Sequence, residues 1–411
     1  METNRQHIIA LLRLLARSLE HPVLDRCPLS EIADLGDQAV PKLVDALTHD
    51  DPIIRRAAAH ALGQLRSPFD DRLDLEAAVP HLERMLETDT DPLARLNAAE
   101  ALWFITGSKM VVPVLLKVLS HEDVEVRRFA VGMFGLVELD PNDTMRPLTA
   151  ALSDSDPFVR ATAAEVLADY GSSAAEALPH LERLLGEDDY TRVVVVHAIL
   201  CIEPTKTDGL VPVLTGALRN GDRMVRHRAA QVLGEIPAAG ALAINSLIQA
   251  LDDVEEAVRL VALNALQSLG DAAAPAVPAL VGVLTGNDDI LARGMAADAL
   301  AAIGPAAEKA APQLLKCLQE PGNDALTTYF RLKVAGALWS ISGEADHLLA
   351  TAVDAIGNPE WWLRGRAAAM WGELGAAGRA AIPLLRKALQ DEHQFVRDQA
   401  VRSLGKIVPA A

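Results

Sequence analysis

The sequence predicts an all-α solenoid, an α-α superhelix of eleven helical hairpins preceded by a cap helix. Three periodic observations predict it. An arginine recurs at Arg55, Arg95, Arg127, Arg160, Arg192, Arg226, Arg259, Arg293, Arg331, Arg364 and Arg397, and most neighbours are 32 to 34 positions apart. A proline stands 13 to 15 residues before most of these arginines, at Pro41, Pro80, Pro113, Pro147, Pro179, Pro212, Pro278 and Pro383. An alanine or valine follows every arginine by three, from Ala58 through Val195 to Ala400. Self-similarity at one fixed period of this length marks a stack of like supersecondary units.

Residues 1–34 fall outside the period and are predicted to form an N-terminal cap region. Ile8, Ile9, Leu12, Leu15 and Leu19 lie on one stripe of an amphipathic helix. Arg13 and Arg17 interrupt its apolar run and no small-residue cleavage site follows, so it does not read as a signal peptide. From 35 to 411 each unit reads as helix A, a short acidic turn and helix B. The proline opens helix A, where its missing N–H costs no hydrogen bond. "DPFVRATAAEVLADYG", residues 156–171, illustrates helix B. Asp156 is placed to cap it, Pro157 fits the first helical position, and Val159, Ala163 and Leu167 form the buried stripe. The small residue three after the arginine lets adjacent helices approach. No unit can bury its stripe alone, so the stack shares one core.

Local departures break the array. The Arg55–Arg95 interval is 40 residues, lengthened by "RSPFDDRLD" after the first unit. The Arg293–Arg331 interval is 38, with "EPGNDALTTYF" extending the turn of the ninth. The seventh unit has Asn245 in place of the proline, and the tenth, "ADHLLATAVDAIGNPEWW", also lacks it.

Composition narrows the function classes. Half of the 411 residues are hydrophobic but only 4% are aromatic, as expected for helices packed through Ala and Leu. The net charge of −18 opposes a general grip on nucleic acid. Three scattered cysteines, Cys27, Cys201 and Cys317, draw neither a disulfide framework nor a zinc motif, and read as thiols of a reducing, cytoplasmic setting. No apolar run is read as approaching the roughly 18 residues of a membrane span.

The "D-P-x-V-R-x-x-A-A-x-x-L-G" pattern of helix B and the "A-V-P-x-L-x-x-x-L" pattern of helix A resemble the HEAT family, and most closely its short phycobilisome-lyase form. The resemblance implies a HEAT-like right-handed superhelix with the B helices on its concave side. It also brings three enzymatic comparisons. HEAT-like deoxyhypusine hydroxylases hold two irons with several His-Glu dipeptides on B helices. Here His-Glu occurs once, at His121-Glu122, in a turn, and the sixth unit reads His227-Arg228. HEAT-like DNA glycosylases need a cationic groove, which this charge does not offer. Bilin lyases supply no catalytic residue that can be matched here. No metal and no cofactor are expected.

Two sets of residues carry the functional reading. The first is a structural ladder, in which each arginine bonds carboxylates of its own unit or the adjacent one. Its members are Asp51 and Arg55, Asp91 and Arg95, Asp123 and Arg127, Asp156 and Arg160, Asp188 and Arg192, Asp222 and Arg226, Glu255 and Arg259, Asp289 and Arg293, and Glu360 and Arg364. The pattern fades at Arg331 and Arg397, which have Thr327 and His393 four residues before them. The second set faces the groove, five residues after each arginine: His60, Glu100, Gly132, Glu165, His197, Gln231, Asn264, Asp298, Gly336, Ala369 and Arg402. With helices about 8–10 Å apart, eleven units make an arc on the order of 100 Å, the size of a protein or peptide partner.

The C-terminal end adds a candidate. Residues 361–411 hold eight Lys/Arg and four Asp/Glu, and four of the five tryptophans stand at Trp339, Trp361, Trp362 and Trp371. Trp371 and Trp362 occupy regular apolar positions of helix B. Trp361 stands where earlier units have Pro52, Pro92 and Pro157. It reads either as an interface anchor beside Arg366 or as packing against the long turn of the ninth unit. The resulting expectation is a non-enzymatic scaffold for a protein or peptide partner, with a bilin-lyase-like enzyme or chromophore chaperone as the alternative.

Overall fold

The computed structural model describes residues 2–20, 28–33, 35–65, 74–137, 140–286, 289–322 and 324–408. Cys27 and nearly all of the "RSPFDDRLD" insertion lie outside these residues. Among the described residues every regular element is a helix. The chain divides into two compact blocks, Met1–Glu187 with Cys201–Glu203 and Asp188–Leu200 with Pro204–Ala411. Both are built from the same hairpin.

In the first block the cap helix, Glu2–Glu20, packs on helix B of the first repeat, Pro52–Gln64. It buries Ile8, Leu11, Leu12 and Leu15, and Ile9 is half-buried. In the first block the B helices of repeats one to four pack in chain order, and in the second those of repeats six to eleven do the same. The residue three after each ladder arginine has no exposed surface in any of the eleven repeats. A glycine eight after the arginine tightens the contact further: a Cβ on Gly63 would stand 3.1 Å from Ala101 Cα, and one on Gly234 2.8 Å from Ala265 Cα. Close approach replaces large side chains as the source of dispersion contact, which is how an Ala-rich sequence fills a core.

Capping follows the predicted chemistry. Asp51, Asp91, Asp123, Asp156, Asp222 and Asp289 hold extended backbone angles and accept N–H groups of the first turn of their own B helices. Asp188 accepts from Tyr190 and Thr191. Glu255 and Glu360 stand at the cap position without a side-chain cap bond.

Two sequence expectations need correction. Pro147 does not open its helix: helix A of the fourth repeat is Pro141–Ala151, capped by Asp140, with Pro147 inside it. An earlier Asp-Pro pair supplies a stronger start than the 3-10 turn that precedes Pro80, Pro113 and Pro278 elsewhere. The second concerns hydropathy. The stretch Ile290–Leu318 does contain an 18-residue window apolar enough to cross a membrane by composition and length. It is split into Ile290–Ile303, a 3-10 segment Gly304–Ala310, and Ala311–Leu318, with half of that window buried against the rest of the fold. Gly304, at φ 68°, makes the break.

Candidate interaction surface

Six ladder arginines, Arg55, Arg127, Arg160, Arg226, Arg293 and Arg364, tie their repeat to the one after it, whereas Arg95 and Arg259 donate to carbonyls of their own unit and Arg192 to Asp189 of its own helix. Arg226 is typical. Its Nη1 donates to the carbonyls of Asn220 and Gly221 in its own turn, at 2.9 and 3.1 Å. Its Nε and Nη2 grip both carboxylate oxygens of Asp253 in the next turn, at 2.7 and 2.9 Å. Arg55 with Asp89, Arg127 with Asp154, and Arg364 with Asp391 repeat the fork. Arg160 and Arg293 reach Glu187 and Glu320 instead. The Glu187 bond uses only Nη2 of Arg160, and its Nε is buried with no hydrogen-bond partner.

The gripped aspartate lies six residues before the next arginine, while the residue four before caps the helix. The Asp253 and Asp391 carboxyls are held below the usual carboxylate range by the arginine hydrogen bond, which outweighs the opposing effect of burial. Arginines one position further on, Arg56 and Arg128, make a second rung to the capping Asp91 and Asp156 of the following repeat. The sequence did carry a signal for the six-before position. Asp, Asn or His recurs there, at His49, Asp89, His121, Asp154, Asn220, Asp253, Asn358 and Asp391. His49 and His121 use Nδ1 to accept the backbone N–H of Asp51 and Asp123, as the aspartates do.

None of the eleven groove positions is buried. Asn264 and Arg402 are exposed, and the other nine are half-buried. Several pair across adjacent B helices. His60 Nδ1 lies 3.0 Å from Glu100 Oε2. His197 Nε2 lies 3.2 Å from Glu235 Oε2, while Nδ1 is 3.4 Å from Arg228 Nη2. Gln231 donates to the same Glu235 at 2.8 Å. The His197 hydrogen bond lowers the Glu235 pKa. Lys333 pairs with Asp298 and lies 5.1 Å from the centre of the Tyr329 ring. A basic side chain two after one arginine thus reaches back to the groove position of the preceding repeat, at both Arg228 and Lys333.

At the C-terminal end, Trp361 stacks on His393 with ring centres 4.0 Å apart and meets the Phe395 ring edge-on at 5.6 Å. Both partners belong to the eleventh repeat. Trp362, not Trp361, contacts the ninth: its ring stands 5.5 Å from Tyr329. Arg366 faces Glu373 on its own helix at 3.9 Å. Five residues of helix separate Trp361 from Arg366 by roughly 140° of rotation, so the two point along different faces. Both retain over two-fifths exposure.

The family profile described as HEAT repeats matches residues 9–103, 112–199, 244–328 and 330–410. The chain is 27% identical over 235 residues to a deoxyhypusine hydroxylase of Cryptococcus neoformans, across half of this chain and 62% of that protein. It is 29% identical over 173 residues to an uncharacterized phycocyanin operon protein Z of Pseudanabaena tenuis, across 39% of this chain and 80% of that one. Among solved structures it is similar to the karyopherin Kap121p bound to the SUMO protease Ulp1p, with a TM-score of 0.57 and 14% identity over 93% of this chain and 49% of that one. The chain therefore spans about six-tenths of the hydroxylase and half of the karyopherin.

The two irons implied by the hydroxylase resemblance do not fit the residues present. Among the described residues no group of three or more His, Cys, Asp or Glu is placed to hold a metal ion. His60 meets Glu100 and His197 meets Glu235, and the second ring nitrogen of His197 faces the Arg228 guanidinium. A cation there would meet a fixed positive charge in place of a third ligand.

Proposed function

Because the chain belongs to the HEAT-repeat family, we propose that it is a non-enzymatic protein-binding scaffold, with a partner docking on the groove face of its B helices and on its C-terminal end. The observation that carries this reading is the separation of duties along each B helix. The position three after the arginine is spent on the core in every repeat, and the position five after it is in none. The groove row therefore carries side chains of both signs at no cost to packing. Such a row selects a partner by charge complementarity, and added salt weakens the association. The Kap121p likeness supports the same class, since that karyopherin is bound to another protein. A cytoplasmic setting and the absence of general nucleic-acid binding belong to the same proposal, on the cysteine pattern and the net charge of −18.

The test is capture at low salt with identification by mass spectrometry. Trp361→Ala with Arg366→Glu is expected to weaken capture while circular dichroism is preserved. Unchanged capture removes the C-terminal end from the reading. The likeness to the phycocyanin operon protein favours a second reading, a bilin-lyase-like enzyme or chromophore chaperone. Mixing the chain with a phycobilin and its acceptor subunit separates the two, because covalent colour on the acceptor would displace the scaffold.

A further inference from the structure

In the second block one edge of the stack is apolar where solvent reaches it. Met224, Val254, Leu291, Leu326, Trp361 and Phe395 come from six successive repeats, and each is 38–87% exposed. All six stand in the turn before helix B or in its first turn, so they share one end of the B helices. Those helices pack side by side in chain order. At about 8–10 Å per helix the line runs on the order of 50 Å. Single exposed apolar residues are ordinary, but one per repeat at the same end of six successive B helices makes a line of the kind that marks an interaction site. The core does not require them, because the stripe beneath is already filled by the buried positions.

The charge beside the stripe names the occupant. The described residues of the same six segments, 219–224, 252–257, 286 with 289–291, 319–322 with 324–326, 357–362 and 390–395, hold eleven Asp/Glu and two Arg. Four of the acids, Asp253, Glu320, Asp391 and Glu392, are tied to ladder arginines. Of the others Asp252, Glu256 and Glu360 are exposed, as are Asp222, Asp289 and Asp324, whose carboxylates also cap their helices. In a polyproline II segment, which turns once every three residues and rises about 3.1 Å per residue, side chains three apart share one face at a spacing of about 9 Å, which matches the step between repeats.

We infer that this rim, distinct from the groove, is a docking line for an extended basic segment of a partner protein, with an apolar side chain every third residue and Lys or Arg between. Apolar anchors settle on the stripe while the basic residues meet the acids that flank it. This rests on the scaffold reading and adds to it a second face and the chemistry of its ligand.

Fluorescence anisotropy with a labelled peptide of repeated Leu-Lys-Lys, against one of repeated Leu-Glu-Glu, tests it on the full chain. The basic peptide is expected to bind. Met224→Ser/Val254→Ser/Leu291→Ser should weaken binding tenfold or more. Asp252→Asn/Glu256→Gln should weaken it and flatten its salt dependence. Asn264→Ala/Arg402→Ala, on the groove row, should leave it unchanged. All are surface changes, and circular dichroism confirms that each variant is folded. No binding by the basic peptide, equal binding by the acidic one, or full affinity in the triple variant would overturn the inference. So would a concentration-dependent dimer in sedimentation that the triple variant abolishes, since the stripe would then serve a second copy of the chain. Loss only in the groove variant removes the rim and leaves the scaffold standing. Covalent colour in the bilin assay removes the scaffold by a separate measurement.

Discussion

Replacing Arg226 by methionine tests what holds neighbouring repeats together. The arginine is 9% exposed and the side chain of its partner Asp253 is equally buried. The substitution keeps most of the aliphatic stem and removes four hydrogen bonds, two to turn carbonyls and two to the carboxylate. Asp253 keeps its bond from the Glu255 N–H at 2.9 Å but loses its counter-charge. Breaking a buried ion pair from one side costs about 3–5 kcal/mol. The pair lies at the edge of the stack, where water reaches the abandoned carboxylate, so about 2–4 kcal/mol is the expected loss. Removing both charges together, as Arg226→Met/Asp253→Leu, should recover at least half of it, because no buried charge is left without a partner. Urea unfolding followed by circular dichroism measures both. Hydrogen exchange should localise the loss to Arg223–Glu235 and Glu256–Ser268, since repeats couple to their neighbours. A midpoint for Arg226→Met within error of the wild type, or a double variant worse than the single one, would refute the ladder as a source of stability. The pH dependence has a fixed sign. The Asp253 pKa is lowered in the folded state, so its contribution is complete above the unfolded value of about 4 and is lost as pH falls through the folded value below that. Acid should therefore narrow the gap between wild type and Arg226→Met.

Arg160→Ala should cost less than Arg226→Met, about 1–2 kcal/mol, since its carboxylate contact is a single bond to the half-exposed Glu187; unchanged melting would count against that rung. Gly234→Ala should destabilise by about 1–3 kcal/mol because the new Cβ would press on Ala265 backbone, while Gly282→Ala, with open space around it, should be neutral or stabilising by up to about 1 kcal/mol. Thermal melts compare the two glycines directly, and equal shifts would remove close helix approach as the explanation. Asp51→Ala should cost about 1 kcal/mol by releasing the Ile53 N–H, with faster amide exchange confined to the first turn of Pro52–Gln64.

Much of the architecture is legible in the sequence because it is periodic. Arginine, proline and small residues at fixed offsets dictate helix starts, a buried stripe and a unit length, all set by bonds within a few residues of one another. The row five residues after each arginine follows from the same helical period, and none of its eleven positions is buried. What the sequence could not settle is which carboxylate each arginine takes. Proximity along the chain favours the acid four residues before, but that side chain is already turned onto the N–H groups of its own helix. The guanidinium reaches past it to the next turn, 27 residues on at Asp253, Asp154 and Asp391. Trp361 is a similar case. Its neighbours in sequence point back towards the ninth repeat, whereas packing turns it forward onto His393 and Phe395. Local hydrogen bonds are fixed by local sequence. Contacts between repeats depend on how closely two helices can approach, and only the stacked structure decides that distance.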